Sequence, residues 1–164
     1  MTLFEESGFS FNFSGSNSAF RADTFSYNGL SAVDFIVETS TAVLFIEVKN
    51  PDNEKAKHHP EREELLSSPD EFSTRIAKKF KDSLLKEFAK GRRFPNPIVC
   101  ILLHEFAKFD ARQKLRLHEL INGQIPRFAE DEFIAVNGIC FWLCNREKFV
   151  SKYNTFSVTQ APEK

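Results

Sequence analysis

Apolar and polar side chains alternate strictly over residues 9–13 (Phe-Ser-Phe-Asn-Phe), the two-residue period of a half-buried strand. A polar turn, Ser14-Gly15-Ser16-Asn17-Ser18, follows, and residues 20–27 predict a second strand closed by Asn28-Gly29. Two β-branched and aromatic runs come next, 32–38 (Ala-Val-Asp-Phe-Ile-Val-Glu) and 43–49 (Val-Leu-Phe-Ile-Glu-Val-Lys). Only Thr39 to Ala42 separate them, which predicts a hairpin. Asn50-Pro51-Asp52-Asn53 ends its second strand, and the charged, apolar-poor stretch 52–68 reads as a loop.

The period then changes. Phe72, Ile76, Phe80, Leu84 and Phe88 recur every four residues, joined by Ala77, and predict a helix. Ser68-Pro69-Asp70-Glu71 marks its start, with Ser68 as cap, Pro69 in the first turn and Glu71 completing a capping box. Gly91 stops it. Residues 97–103 form an apolar strand, and Asp110 caps a second helix that ends at Asn122-Gly123. Asn137-Gly138, between two apolar runs within 132–144, predicts another hairpin. A short helix after Asn145 and a strand near 155–160 complete the pattern. This order of elements is that of a mixed α/β or α+β fold, and 164 residues make a single domain spanning 1–164.

Composition narrows the function classes. The 19 Phe, against 2 Tyr and 1 Trp, point to an aromatic core, because Phe lacks the polar tip that suits a wet interface. A large exposed Phe patch would instead mark a subunit that docks on a bigger partner. Lys plus Arg is 22 and Asp plus Glu 23, for a formal charge of −1, so any affinity for nucleic acid must come from a local patch. Cys100, Cys140 and Cys144 sit in apolar settings and are expected to be free buried thiols. As a metal set they would lack a fourth ligand. The longest apolar run, residues 98–103, is far short of the roughly 20 residues a spanning helix needs. No basic segment precedes an apolar one at the N-terminus, so a cytoplasmic protein is expected, with no membrane partner.

The chemistry concentrates in the first hairpin. Asp34 interrupts one apolar strand, and Glu47 and Lys49 interrupt the other. A charge on a buried surface is costly unless it is paired or bound to a metal. With a turn at 40–41 or a loop of 39–42, Asp34 falls directly opposite Glu47, and directly opposed residues share a face. Lys49, two residues beyond Glu47, shares it too. A three-residue loop would turn Asp34 away. Two converging carboxylates repel, and a divalent cation relieves that repulsion; hard oxygen ligands suit Mg²⁺ or Mn²⁺. A neighbouring lysine can orient a water or offset charge on a phosphate. The set suits phosphodiester hydrolysis by a metal-activated water.

These residues resemble the PD-(D/E)XK nuclease superfamily, the restriction-endonuclease-like fold. The matching stretch is Val33-Asp34, the intervening residues 35–46, then Glu47-Val48-Lys49, the only acidic-x-Lys triplet in the chain. The resemblance implies an αβββαβ core: a central mixed sheet flanked by helices, with the motif on adjacent antiparallel strands. It also implies a metal-dependent nuclease, an endonuclease or other hydrolase acting on DNA or, less often, RNA. By the same resemblance Asp34, Glu47 and the carbonyl of Val48 are metal ligands, and Asp34, Glu47 and Lys49 are the catalytic residues. The sequence departs from the superfamily pattern at Val33, where many members have Pro. Only seven residues precede Gly8, where the superfamily's first helix often donates a Glu. Glu5, Glu6 and Asp23 are the acidic residues near enough in sequence to supplement the set.

Residues 75–93 carry eight basic side chains and two acidic ones. At about 100° per residue Arg75, Lys79, Lys86 and Lys90 share one stripe, expected opposite the apolar face. With Lys78 they are candidate nucleic-acid-binding residues, the other reading being a solvated helix face. Arg75, Lys78 or Lys79 could also reach the site. His58-His59, His104 and His118 lack metal-ligand spacing. The alternative to an enzyme is a catalytically inactive nuclease-fold module that binds a partner. A homodimer or a partner protein is compatible with either.

Overall fold

The computed structural model describes residues 3–24, 29–51, 64, 67–106, 109–126 and 138–162. The chain is a mixed α+β protein. Its centre is a five-stranded sheet in the order β3–β4–β5–β6–β7 (Ser18–Arg21, Phe35–Glu38, Val43–Lys49, Ile98–His104 and Ile139–Cys144). A second sheet, ordered β1–β2–β8, holds Leu3–Glu6, Phe9–Asn12 and Ser157–Gln160. The helices are α1 (Pro69–Ala89), α2 (Ala111–Asn122) and α3 (Arg146–Lys152).

The expected first hairpin forms in the expected register. Phe35 pairs with Ile46 and Ile36 with Phe45, antiparallel. The turn is held by Thr39, whose N–H donates to the Ala42 carbonyl at 2.9 Å and whose Oγ1 accepts the Ala42 N–H at 3.0 Å. β5 and β6 then pair in parallel through α1, and β6 and β7 in parallel through a connection that includes α2. β7 therefore joins the sheet through β6. The expected partner run of a 132–144 hairpin falls on residues 132–137, outside the described residues, as do 52–63 and His58-His59.

Parity sorts the side chains into two cores. Ile36, Phe45, Cys100 and Phe141 lie on one face, under Phe72, Ile76, Phe80 and Leu84 of α1 and Leu117 and Ile121 of α2. Val37, Leu44, Val99 and Ile101 lie on the other, under Phe9 and Phe11 of β2, Phe149 of α3 and Val158 of β8. The three layers are thus helices, large sheet, and small sheet with α3. Most of the phenylalanines are core residues, as expected.

Three sequence expectations need correction. Ser68 makes no side-chain cap on α1, because its N–H goes to the Glu64 carbonyl at 2.7 Å and its backbone is not extended (ψ 62°), so the capping box cannot close. Asp110 on α2 does form one with Gln113. Residues 20–27 do not form one strand: β3 runs Ser18–Arg21, and a turn follows at Asp23. Cys100 and Cys144 are buried, but Cys140, on β7 at the edge of the large sheet among the described residues, is exposed.

Candidate functional site

The site is built at the end of the β4–β5 hairpin by several independent anchors. The register puts Asp34 directly across from Glu47, one residue before the first paired position of β4. The Asp34 carbonyl accepts the Ala22 N–H at 3.0 Å, and its Oδ2 accepts the Val48 N–H at 2.7 Å. The preceding segment is tied to α1: the Val33 N–H donates to Ser83 Oγ at 2.9 Å and the Ser31 N–H to Asp82 Oδ2 at 2.8 Å. Asp34 is 6% exposed and Glu47 fully buried.

Glu47 shares the parity of Val43 and Phe45, so it faces α1. There Lys79 Nζ lies 2.6 Å from Glu47 Oε1, and Lys49 Nζ lies 3.2 Å from the same oxygen. Glu47 Oε2 is buried and accepts no hydrogen bond among the described residues. Such an oxygen is costly to leave unmatched. The Asp34 carboxyl is pushed up to about 8, first by burial and then by the negative charge of Glu47, with Glu6 adding to it. Lys79 and the Val48 N–H pull in the opposite direction. A buried acid squeezed between like charges is a group whose ionised form a cation would stabilise.

A second acidic convergence shares Asp34. One carboxylate oxygen from each of Glu6, Asp23 and Asp34 lies within 4.8 Å of the others. Glu6 reaches the site from the end of β1, a strand the sequence pattern does not announce. Arg21 crosses this cluster: it pairs with Glu6, contacts Asp23 Oδ1 at 3.3 Å and donates to the Glu5 carbonyl at 2.7 Å. Asp34 therefore belongs to two carboxylate groups, a pair with Glu47 and a triad with Glu6 and Asp23.

The basic stripe of α1 is not where the sequence expectation put it. Phe72 and Lys90 are about five whole turns apart and so project onto the same line, so the stripe lies beside the apolar arc and not opposite it. Lys79 and Lys86 turn inward, while Arg75 and Lys90 stay exposed but paired. Lys86 is buried, with Nζ 3.4 Å from the Ala22 carbonyl. Lys79 is held by Glu47, Lys90 is 2.8 Å from Glu87, and Arg75 is 2.6 Å from Glu64. Lys78 is exposed but pairs with Asp82. The outward face carries Thr74, Lys78, Lys81 and Leu85 instead.

Lys79 is the functional neighbour the sequence reading did not single out, although it ranked among the candidates for reaching the site. Its signal was its angle, on the flank of the apolar arc, together with the need of a buried Glu47 for a counter-charge. No helix among the described residues is long and apolar enough to cross a membrane. Comparison with protein-family models, curated proteins and solved structures found no match.

Proposed function

We propose that the chain is a metal-dependent nuclease that hydrolyses phosphodiester bonds of DNA or RNA, with Asp34, Glu47 and Lys49 as its working residues. One observation carries the reading: Asp34 and Glu47 face each other across a fixed register, both buried, and Glu47 Oε2 has no partner among the described residues. The donor set fits Mg²⁺ or Mn²⁺, with Asp34, Glu47 and the Val48 carbonyl as the oxygens that would hold it. The strand order, antiparallel through β3–β4–β5 and then parallel to β6, supports the βββαβ part of the core that the resemblance implies, whereas the described residues before β3 form strands β1 and β2 in place of its first helix.

When bound, the ion would lower the pKa of a coordinated water and polarise a phosphate oxygen. The protein's own part is positional and electrostatic. The Val48 N–H fixes Asp34, and Lys79 fixes Glu47. Lys49, whose ammonium lies beside Glu47, donates a hydrogen bond to the attacking water and offsets charge that develops on the phosphate. DNA is the first substrate to try, and a cytoplasmic location belongs to the same reading.

The test is cleavage of plasmid DNA and of a single-stranded RNA in Mg²⁺ or Mn²⁺, with and without chelator. Asp34→Ala and Lys49→Ala should each abolish chelator-sensitive cleavage while circular dichroism stays unchanged. Equal activity in the wild type and both variants would assign the cleavage to a contaminant and reject the reading.

A specific observation also favours the second reading, a nuclease-fold module that binds a partner without catalysis. Two ammonium groups, from Lys79 and Lys49, already crowd Glu47 Oε1 and supply positive charge where a metal would. Titration calorimetry with Mn²⁺ separates the two. Binding that is lost in Glu47→Ala supports the enzyme, and no binding supports the module.

A further inference from the structure

A second polar cleft opens at the same end of the sheet. It measures about 310 Å³ and lies where β6 and β7 end, between α2 and α3. His104, Lys114, His118, Asn145 and Lys148 supply its polar side chains, and Leu115, Leu143 and Cys144 the rest of its wall. No acidic side chain lines it among the described residues. Among the described residues neither Lys114 nor Lys148 makes an ion pair, whereas Lys49 and Lys79 beside Glu47, and Arg75, Lys78 and Lys90 along α1, do.

Its hydrogen-bonding groups are donors. His104 is buried, and its Nδ1 accepts the Phe106 N–H at 3.3 Å, which leaves the proton on Nε2. Asn145 Oδ1 accepts the Lys148 N–H at 3.0 Å, which leaves its NH₂ group to donate. Burial and the two nearby ammonium groups of Lys114 and Lys148 hold the His104 imidazole neutral, its pKa lowered to about 4. Two ammoniums with no ion pair among the described residues and a set of neutral donors, walled by apolar side chains, make a receptor for an oxyanion.

The register ties this cleft to the site already described. His104 is the parallel partner of Lys49, and the Glu105 N–H donates to the Lys49 carbonyl at 3.1 Å. Neighbouring strands are about 4.8 Å apart, so the cleft begins one strand away from Lys49.

We propose that this cleft binds a phosphate group of a nucleic-acid strand, through Lys114, Lys148, His118 and Asn145, and so aligns the strand with Asp34, Glu47 and Lys49. The identity of the phosphate carrier rests on the nuclease reading; the oxyanion site does not. The strand enters along the ends of β5, β6 and β7, and the outer face of α1 takes no part.

The experiment uses the full chain in chelator, so that no cleavage occurs. Binding of a short fluorescent DNA strand is followed by anisotropy, with inorganic phosphate as competitor. Lys114→Ala/Lys148→Ala should weaken binding by about tenfold or more, as expected for losing two charge-assisted contacts. Lys81→Ala/Arg93→Ala, which removes the same charge elsewhere, should change it by no more than about twofold. Millimolar phosphate should displace the strand from the wild type and not from the Lys114/Lys148 variant. Equal weakening in both double variants would reduce the effect to general charge and overturn the proposal. So would a Lys114/Lys148 variant that binds like the wild type. Phosphate that perturbs the His118 ring resonance while the strand does not bind would keep the oxyanion site and overturn its nucleic-acid occupant. Failure of cleavage in metal, with strand binding intact and sensitive to Lys114/Lys148, would sink the nuclease reading alone.

Discussion

The backbone N–H of Val48 donates to Asp34 Oδ2 at 2.7 Å, so the strand that carries Glu47 also clamps the carboxylate that faces it. Two carboxyl groups are held together within one hairpin, and the repulsion their ionised forms would feel is met by Lys79, Lys49 and a proton-retaining Asp34.

This arrangement makes stability depend on pH. The folded Asp34 carboxyl keeps its proton up to about 8, whereas the unfolded one releases it near the ordinary 3.8. Between those values the folded state binds more protons, so stability falls as pH rises through that window. Asp34→Asn, which keeps an acceptor for the Val48 N–H, should flatten the slope and raise Tm near pH 8.5 by about 5 °C. Thermal melts from about pH 5 to about pH 8.5 without divalent cations check this. Excess Mn²⁺ should recover the wild-type Tm at the alkaline end and leave the Asn variant unmoved. Identical slopes in the two proteins would rule out a protonated Asp34.

The Lys79–Glu47 pair should behave as a coupled unit. Lys79→Met should cost about 2–3 kcal/mol, less than a fully buried pair would lose, because Lys49 remains beside Glu47 and Lys79 is partly exposed. In a Glu47→Gln background the same change should cost less than about 1 kcal/mol. Urea denaturation of the four proteins gives the coupling energy, and strict additivity would mean that the contact contributes nothing.

A separate network should respond to acid. Glu87 is buried, which by itself raises its pKa, but hydrogen bonds from Lys90 and Arg92 outweigh that and lower it. Its contribution is therefore complete above the ordinary carboxylate value and is lost as pH falls through the lowered one. Arg92 also pairs with Glu38 and lies over the Phe20 and Phe94 rings. Arg92→Ala should destabilise the protein by about 2 kcal/mol near neutrality and by clearly less near pH 3. Chemical denaturation at the two pH values checks the difference.

The thiols offer a simpler check. Burial pushes the Cys100 and Cys144 thiols up, Cys144 to about 12, while Cys140 is exposed. A thiol reagent should label one cysteine per native chain, and Cys140→Ser should abolish that labelling. All three should react in denaturant.

The hairpin was readable in the sequence because Thr39 to Ala42 permits few turn lengths; with both faces of the sheet buried it is this turn, held by Thr39, that sets the register. Asp34 and Glu47 followed from it. Glu6 and Asp23 were candidates from their nearness in sequence alone; β1, the strand that carries Glu6, was not readable, because it is short and Leu3 at its start is 64% exposed, which leaves no clean alternation. Lys79 and Lys86 were misjudged as an outward stripe because a helix packed on a sheet end buries more than its apolar arc. Long lysine side chains at the flank turn toward buried carboxylates and carbonyls. The cleft at His104 was hidden for a different reason. Its walls come from β6, α2, β7 and α3, and no local spacing links residues 104, 114, 118 and 148.

The pairing of Phe9–Asn12 with Ser157–Gln160 has a consequence for biosynthesis. A ribosome releases Asp34, Glu47 and Lys49 early, but the strand that finishes the lid over Phe35, Ile46 and Val48 emerges more than a hundred residues later. Until then a phenylalanine-lined face stands open to solvent or to a chaperone, and the hairpin that carries the site lacks its full cover.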